Sequence, residues 1–317
     1  MLVVFGNFIP KLQEIVHLTS ETEKIQHPLL HEKNVALFVK RLDKLPAQIS
    51  GNKYYKLKYN LQYAKSKQYT QILTFGGAYS NHINACAKAA MIHGLQSVGV
   101  IRGELMLPLN PTLSAAKGFG MKLHPLSRSD YRNKYSKEVN DQLKSLYGDF
   151  YSIPEGGTNA LAIKGTQEIL NAEDLGFDYI CTPLGTGGTF AGIYSSAAIH
   201  QKVIGFSSLK GEFIHEEIRQ ILLKYKVNSD IEYELINAYH FGGYAKIKNE
   251  LLEFMRAFTA ATSIALDPIY TGKMMFGIFD LIKQGHFPEG SNILAIHTGG
   301  LQGNAGFEQR LNLSLKG

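Results

Sequence analysis

The chain has 317 residues, 44% of them apolar and 19% charged, a composition that excludes extended disorder and coiled coil and allows one large domain or two smaller ones. Its 31 glycines against 10 prolines follow no fixed period, so collagen-like structure is excluded and many tight turns are expected. The formal charge of +6 is mild for this length and, apart from the cluster Lys53, Lys56, Lys58, Lys65 and Lys67, which has another explanation, no stretch mixes dense Lys/Arg with aromatics in the way nucleic-acid binders do, so nucleic acid is not an expected partner.

Apolar β-rich runs alternate with helical patterns, the signature of crossover units in a parallel sheet. In chain order, 35–39, 71–75, 97–101, 122–125, 150–153, 179–183, 203–207, 233–236 and 293–297 read as strands, each short and nearly all apolar. Helices are expected over 53–67, 80–94, 160–170, 190–199, 212–225, 245–259 and 272–284. In 80–94, Ile83, Cys86, Ala87, Ala90 and Met91 fall three and four apart, with Ser80 at the start. The stretch 107–121 carries no assignable pattern. This many strands fit two α/β domains better than one sheet, and with no Pro/Ser-rich linker the chain is expected to cross between them more than once.

Only Cys86 and Cys181 occur, outside CxxC or metal-ligand spacing, so neither a disulfide framework nor a metal site is expected and a reducing compartment fits. The apolar run at 1–5 lacks a basic leader, and no run approaches the roughly 18 residues of a membrane span, so a soluble cytoplasmic chain is expected.

Three turns carry residues with chemical potential. Leu184-Gly185-Thr186-Gly187-Gly188-Thr189 follows a strand and opens a helix, so consecutive backbone N–H groups, the helix N-terminus and two hydroxyls can converge on one phosphate. The loop lacks a Walker lysine and has the wrong glycine spacing for a dinucleotide fingerprint. Phe75-Gly76-Gly77-Ala78-Tyr79-Ser80-Asn81-His82 has the same strand-to-helix placement but presents side chains at the sheet edge where ligands of open α/β sheets bind. Gly51-Asn52-Lys53 runs into a helix that opens with a lysine, against the preference of the helix dipole for anions. Such a lysine can form a Schiff base with an aldehyde, and a phosphorylated aldehyde cofactor would also explain the phosphate cup.

In this order the three turns resemble the fold type II pyridoxal-phosphate enzymes, and within them the group containing 1-aminocyclopropane-1-carboxylate deaminase and D-cysteine desulfhydrase. Pro154-Glu155-Gly156-Gly157-Thr158-Asn159-Ala160, Phe241-Gly242-Gly243-Tyr244, Leu266-Asp267-Pro268-Ile269-Tyr270-Thr271-Gly272-Lys273, Phe287-Pro288-Glu289-Gly290 and His297-Thr298-Gly299-Gly300 extend the likeness. The resemblance implies an α/β protein of two open twisted, mostly parallel sheets with helices on both faces, as in the tryptophan synthase β fold. It also implies a large cofactor-binding domain (1–55 and 153–317), a small domain (56–152), pyridoxal 5'-phosphate as cofactor, a small amino-acid substrate and a homodimer.

Carried over on matching positions, Lys53 is the residue that binds the cofactor covalently and Lys56 the lysine lying toward the phosphate. Gly185, Thr186, Gly187, Gly188 and Thr189 are the phosphate loop, and Asn81 the partner of the pyridoxal hydroxyl. Ser80 faces the substrate with Asn81 and His82, while Tyr244 and Tyr270 are active-site tyrosines, each an acid, base or orienter. Thr271 is the expected partner of the pyridine nitrogen, with Thr298 its rival.

Opening a cyclopropane ring expels carbon and demands a strong electron sink, which a carboxylate beside the pyridine nitrogen provides; eliminating a thiol needs less. Deaminases of the family carry Glu where Thr271 stands and tend to carry Gln where His82 stands, so the resemblance implies a lyase of the desulfhydrase kind acting on D-cysteine or a related β-substituted alanine. Ring-opening deamination and a non-catalytic phosphate-ligand binder are the alternatives. The segments at 45–50 and 301–304 depart from both relatives.

Overall fold

Short strands that are apolar on both sides need both faces of their sheet covered, and the chain meets this with two sheets. A computed structural model describes residues 20–45, 49, 51–311 and 315, so the apolar run at 1–5 and Pro46, Ala47, Gln48 and Ser50 lie outside the described residues. The first stretch holds β1 (Thr22–Lys24), α1 (Pro28–Glu32), β2 (Ala36–Arg41) and α2 (Asn52–Ser66). Next come β3 (Gln71–Gly76), α3 (Asn81–Ile92), β4 (Gln96–Arg102), α4 (Pro111–Gly118), β5 (Lys122–Leu126), α5 (Arg128–Arg132), α6 (Lys137–Tyr147) and β6 (Tyr151–Ile153). The remainder is α7 (Ala160–Thr166), β7 (Tyr179–Leu184), α8 (Gly188–Ser196), β8 (Lys202–Ser207), α9 (Phe213–Lys224), β9 (Tyr233–Ile236), α10 (Asn249–Thr262), α11 (Thr271–Lys283), β10 (Asn292–His297) and α12 (Asn304–Leu311).

The larger sheet has the order β1-β2-β10-β7-β8-β9, parallel except for β1, and the smaller β5-β4-β3-β6 is parallel throughout. Strand alternation divides each core in two. On β10, Ile293 and Ala295 pack toward α10 and α11, whereas Leu294 and Ile296 pack with residues of α8 and α9 on the other face. In the smaller sheet, Ile72 and Ile101 join α2, α3 and α4, while Leu73, Phe75, Val98 and Val100 meet Tyr131, Val139 and Leu143 of α5 and α6. The architecture is the expected pair of mostly parallel sheets with helices on both faces.

All nine expected strands form, within one or two residues of their expected limits. The additional strand, β1, is a Thr-Glu-Lys edge strand with no apolar pattern to announce it. The unassigned 107–121 stretch contains α4, opened by an Asn110 cap and Pro111 in the first turn, a start signal that the sequence did carry. The helix expected from 245 begins at Asn249, because 240–246 forms a turn instead. The expected domain limits fall inside α2 and β6, since Ser152 and Ile153 pair with β3 in the smaller sheet. Among the described residues no helix is long and apolar enough to cross a membrane.

Candidate active site

Strands of both sheets end at one cavity of about 540 Å³, within the range of small-molecule and cofactor sites. After β2 the chain reaches Gly51, whose φ of +72° and contact with β10 exclude any side chain. A Cβ there would collide with the Thr298 carbonyl, to which Asn52 N donates at 3.1 Å. This approach fixes the start of α2 against the end of β10 and places Lys53 on the cavity wall. Lys53 is half-buried, and desolvation pushes its ammonium down to about 8. An amine with that pKa has a far larger neutral, nucleophilic fraction near physiological pH than an ordinary lysine.

Lys56, one turn on, is buried, and its Nζ donates to Gly156 O at 2.6 Å, Thr158 Oγ1 at 3.1 Å and Thr186 Oγ1 at 3.4 Å. It thus underpins the loop that follows β7. Gly187 caps α8 with φ +73°, and Asn52 Nδ2 donates to Thr189 Oγ1 at 2.8 Å, leaving the Thr189 hydroxyl hydrogen free for a ligand. Thr186 Oγ1 lies 2.7 Å from Thr158 Oγ1. A Cβ on Gly187 would strike Ile221 at 2.6 Å and Ile218 at 2.8 Å, on the α9 side of the loop. Gly188 is buried against Thr158 and Lys56, behind the lining.

After β3, Ser80 caps α3 by accepting from Ile83 N at 3.3 Å, so its own hydroxyl hydrogen remains available at a helix N-terminus. Asn81 lines the cavity, and its Oδ1, buried beside Gly303, has no hydrogen-bond partner. His82 touches the cavity, yet its ring is committed to the smaller sheet. It is 2% exposed, Nε2 lies 2.8 Å from Thr74 Oγ1, and Cys86 Sγ is 3.4 Å away. Thr74 gives its hydroxyl hydrogen to Ile153 O at 2.9 Å, so His82 Nε2 is the donor to Thr74. Burial, then the Lys53 and Lys56 cations, hold this imidazole well below its ordinary value and neutral.

Tyr244 and Tyr270 meet edge to face with ring centroids 6.2 Å apart. Tyr244 is 46% exposed at the mouth, whereas Tyr270 lies over Gly185. Burial raises both phenols, and their mutual hydrogen bond lowers Tyr244 and raises Tyr270 further. Both are protonated at neutral pH, which makes them donors and acids rather than bases.

Thr271 is the one expected cofactor contact whose side chain is turned away. It is fully buried off the cavity, its Oγ1 accepts from Asp267 N at 2.8 Å and donates to Asp267 Oδ2 at 2.8 Å. With both functions of the hydroxyl used inside this cap, Thr271 has nothing to offer a pyridine nitrogen. Thr298, at the end of β10, does line the cavity. The carboxylates lining it among the described residues are Glu155 and Glu217, beside Gly156 and Ile218, which pack on the Thr186 and Gly187 loop. Asn52 and Thr158 are the site residues the sequence reading passed over, although both stood inside quoted motifs. In the two departing segments, Ile49 and Gln302 also line the cavity.

Residues 17–299 match the family model described as pyridoxal-phosphate dependent enzyme. An inferred 1-aminocyclopropane-1-carboxylate deaminase of Pyrococcus abyssi is 33% identical over 287 residues, 86% of each chain. The mitochondrial bifunctional D-cysteine desulfhydrase/1-aminocyclopropane-1-carboxylate deaminase of Arabidopsis thaliana is 31% identical over 316 residues, 91% of this chain and 78% of that one. The crystal structure of an ACC deaminase homologue superposes with a TM-score of 0.81 at 29% identity over 94% of both chains.

Proposed function

The chain belongs to the pyridoxal-phosphate-dependent enzymes, and from that premise we propose that it carries out α,β-elimination on a small β-substituted amino acid, D-cysteine, releasing pyruvate, ammonia and sulfide. The observation that carries this choice is that the residue lining the β10 end of the cavity is Thr298, while the lining carboxylates Glu155 and Glu217 stand beside residues that pack on the Thr186 and Gly187 loop. A hydroxyl does not hold a ring nitrogen protonated as a carboxylate does, and the weaker sink suits a good leaving group such as a thiol.

The side chains fit the cofactor. Lys53 would hold its aldehyde, the 185–189 loop and the α8 N-terminus would take its phosphate, Asn81 would meet its ring hydroxyl, and Thr298 would meet its ring nitrogen. When bound, pyridoxal phosphate supplies the electron sink for charge left at the substrate Cα. Lys53, released from its covalent role, takes the Cα proton; desolvation, which lowered its pKa, prepares it for this. Ser80 and the α3 N-terminus orient the substrate carboxylate. Protonated Tyr244 and Tyr270 stand to protonate the departing sulfur. His82 supports this wall from behind through Thr74.

Purified protein should release sulfide and pyruvate from D-cysteine and little ammonia from 1-aminocyclopropane-1-carboxylate. Efficient ring opening with no sulfide from cysteine of either hand would overturn the proposal and establish the second reading, which the Pyrococcus relative's name favours. A cytoplasmic homodimer completes the proposal on the strength of the resemblance and of two buried, unpaired thiols; light scattering of the purified chain tests the dimer.

A further inference from the structure

Lys273 belongs to a motif shared with the family, yet nothing above uses it. It is 2% exposed in the first turn of α11, where the helix dipole disfavours a cation, and it forms no ion pair among the described residues. Its Nζ donates instead to two backbone carbonyls, His240 O at 2.8 Å and Gly243 O at 2.8 Å. Those oxygens also close two successive tight turns, accepting from Gly243 N at 3.0 Å and Lys246 N at 3.1 Å. Between and beside them the backbone is left-handed at Phe241 (φ 51°), Gly242 (φ 99°), Gly243 (φ 114°) and Ala245 (φ 56°). Two non-glycine residues in that region cost energy and persist only where surroundings over-determine them.

The surroundings here are one face of α11. Lys273 binds the carbonyls, Phe276 meets Phe241 edge to face at 4.9 Å, and Asp280 accepts from Tyr239 OH at 2.8 Å. Tyr270 lies immediately before the same helix. We propose that Lys273 is a positioning residue that locks the left-handed 240–245 turn so that Tyr244 stands against Tyr270 in the cavity. Desolvation lowers its pKa to about 8, a penalty that a replaceable surface lysine would escape. The proposal rests on the cavity being the active site.

Two readouts test it. In hydrogen exchange on the holoenzyme, Lys273→Met should speed exchange of the peptide spanning 239–246 by about tenfold or more while 186–194 stays unchanged, since the lost contacts are local. In a double-mutant cycle, Lys273→Met and Tyr244→Phe should each lower kcat by roughly 10- to 100-fold with KM little changed, and the double mutant should be no worse than either single. Wild-type exchange at 239–246, or losses in kcat that multiply, would overturn the clamp. Lys273→Gln, which retains amide donors without charge, takes the place of Lys273→Met if that variant does not fold. If neither cysteine nor the cyclopropane substrate is turned over, the functional proposal fails, and the exchange experiment still decides the clamp.

Discussion

The two ends of the cavity are built in different ways. At the end built on the 185–189 loop, Lys56 Nζ donates to Gly156 O, Thr158 Oγ1 and Thr186 Oγ1, Thr158 meets Thr186, and Asn52 donates to Thr189, through hydrogen bonds of 2.6–3.4 Å. At the other end, Asn81 Oδ1 is unpartnered, Tyr244 is 46% exposed, and Thr298, Tyr270 and Ser80 arrive on separate segments. The first end is rigid before anything binds, which suits a group that stays. The second has open hydrogen-bonding capacity, which suits groups that are exchanged or transformed.

Substitution at the junction of the two ends should have the largest effect. Lys53→Ala should lower turnover by more than about 10²-fold, the lower range of a positioned proton-transfer group, while circular dichroism shows the fold intact. Borohydride reduction and peptide mapping should place the pyridoxyl adduct on Lys53; an adduct on Lys56 would move the reactive centre into the rigid end. The rate of cofactor capture should rise about tenfold per pH unit and level off near pH 8, because capture requires the neutral amine.

Gly187→Val probes the rigid end alone. A branched side chain at φ +73° is strained and presses on Ile218 and Ile221, at a cost of about 1–3 kcal/mol, so cofactor affinity measured by equilibrium dialysis should fall by roughly 10- to 100-fold. Unchanged affinity would show that the phosphate is held elsewhere.

The comparison is sharpest at the two threonines, where one substitution should give opposite readouts. Thr298→Val should lower kcat about tenfold, the rate equivalent of one hydrogen bond, with little change in Tm. Thr271→Val should instead lower stability by about 1–3 kcal/mol, because it strands the buried Asp267 N–H and removes a donor from its carboxylate. A Tm loss at Thr298 and a kcat loss at Thr271 would reverse the assignment.

The smallest change is expected from His82→Gln. The imidazole is spent on Thr74, so the ratio of elimination to ring opening should stay within about threefold while stability drops by about 1 kcal/mol. A large swing in that ratio would return His82 to the substrate.

The same contrast explains what was readable in advance. The 185–189 loop is contiguous, lies between a strong strand pattern and a helix, and offers backbone N–H groups, so its candidacy as a phosphate site is written in local order. Thr271 and Thr298 are indistinguishable at that level, since each hydroxyl ends a motif near the sheet edge. Thr271 is withdrawn because Asp267 folds back on its hydroxyl and backbone N–H, a capture that three-dimensional geometry decides. His82 has the i+4 spacing to Cys86 that marks an inward-facing residue of α3, but its commitment to Thr74 crosses from helix to strand. Edge strand β1 has no apolar alternation, and α4 buries only Thr112, Leu113 and Ala116.

The sequence by itself determined the parallel strands and singled out the 185–189 loop and Lys53 as candidates for holding a phosphate and a carbonyl, because hydrophobic periodicity and short motifs act over a few residues and need no distant partner. Tertiary structure alone decided which threonine faces the cavity, that His82 turns toward the smaller sheet, and that the start of α2 is pinned to the end of β10 through Gly51 and the Thr298 carbonyl. The Gly51 contact joins segments far apart in the chain, whereas the Asp267–Thr271 and Thr74–His82 bonds span four and eight residues and are decided by the backbone geometry that packing imposes on those turns and elements.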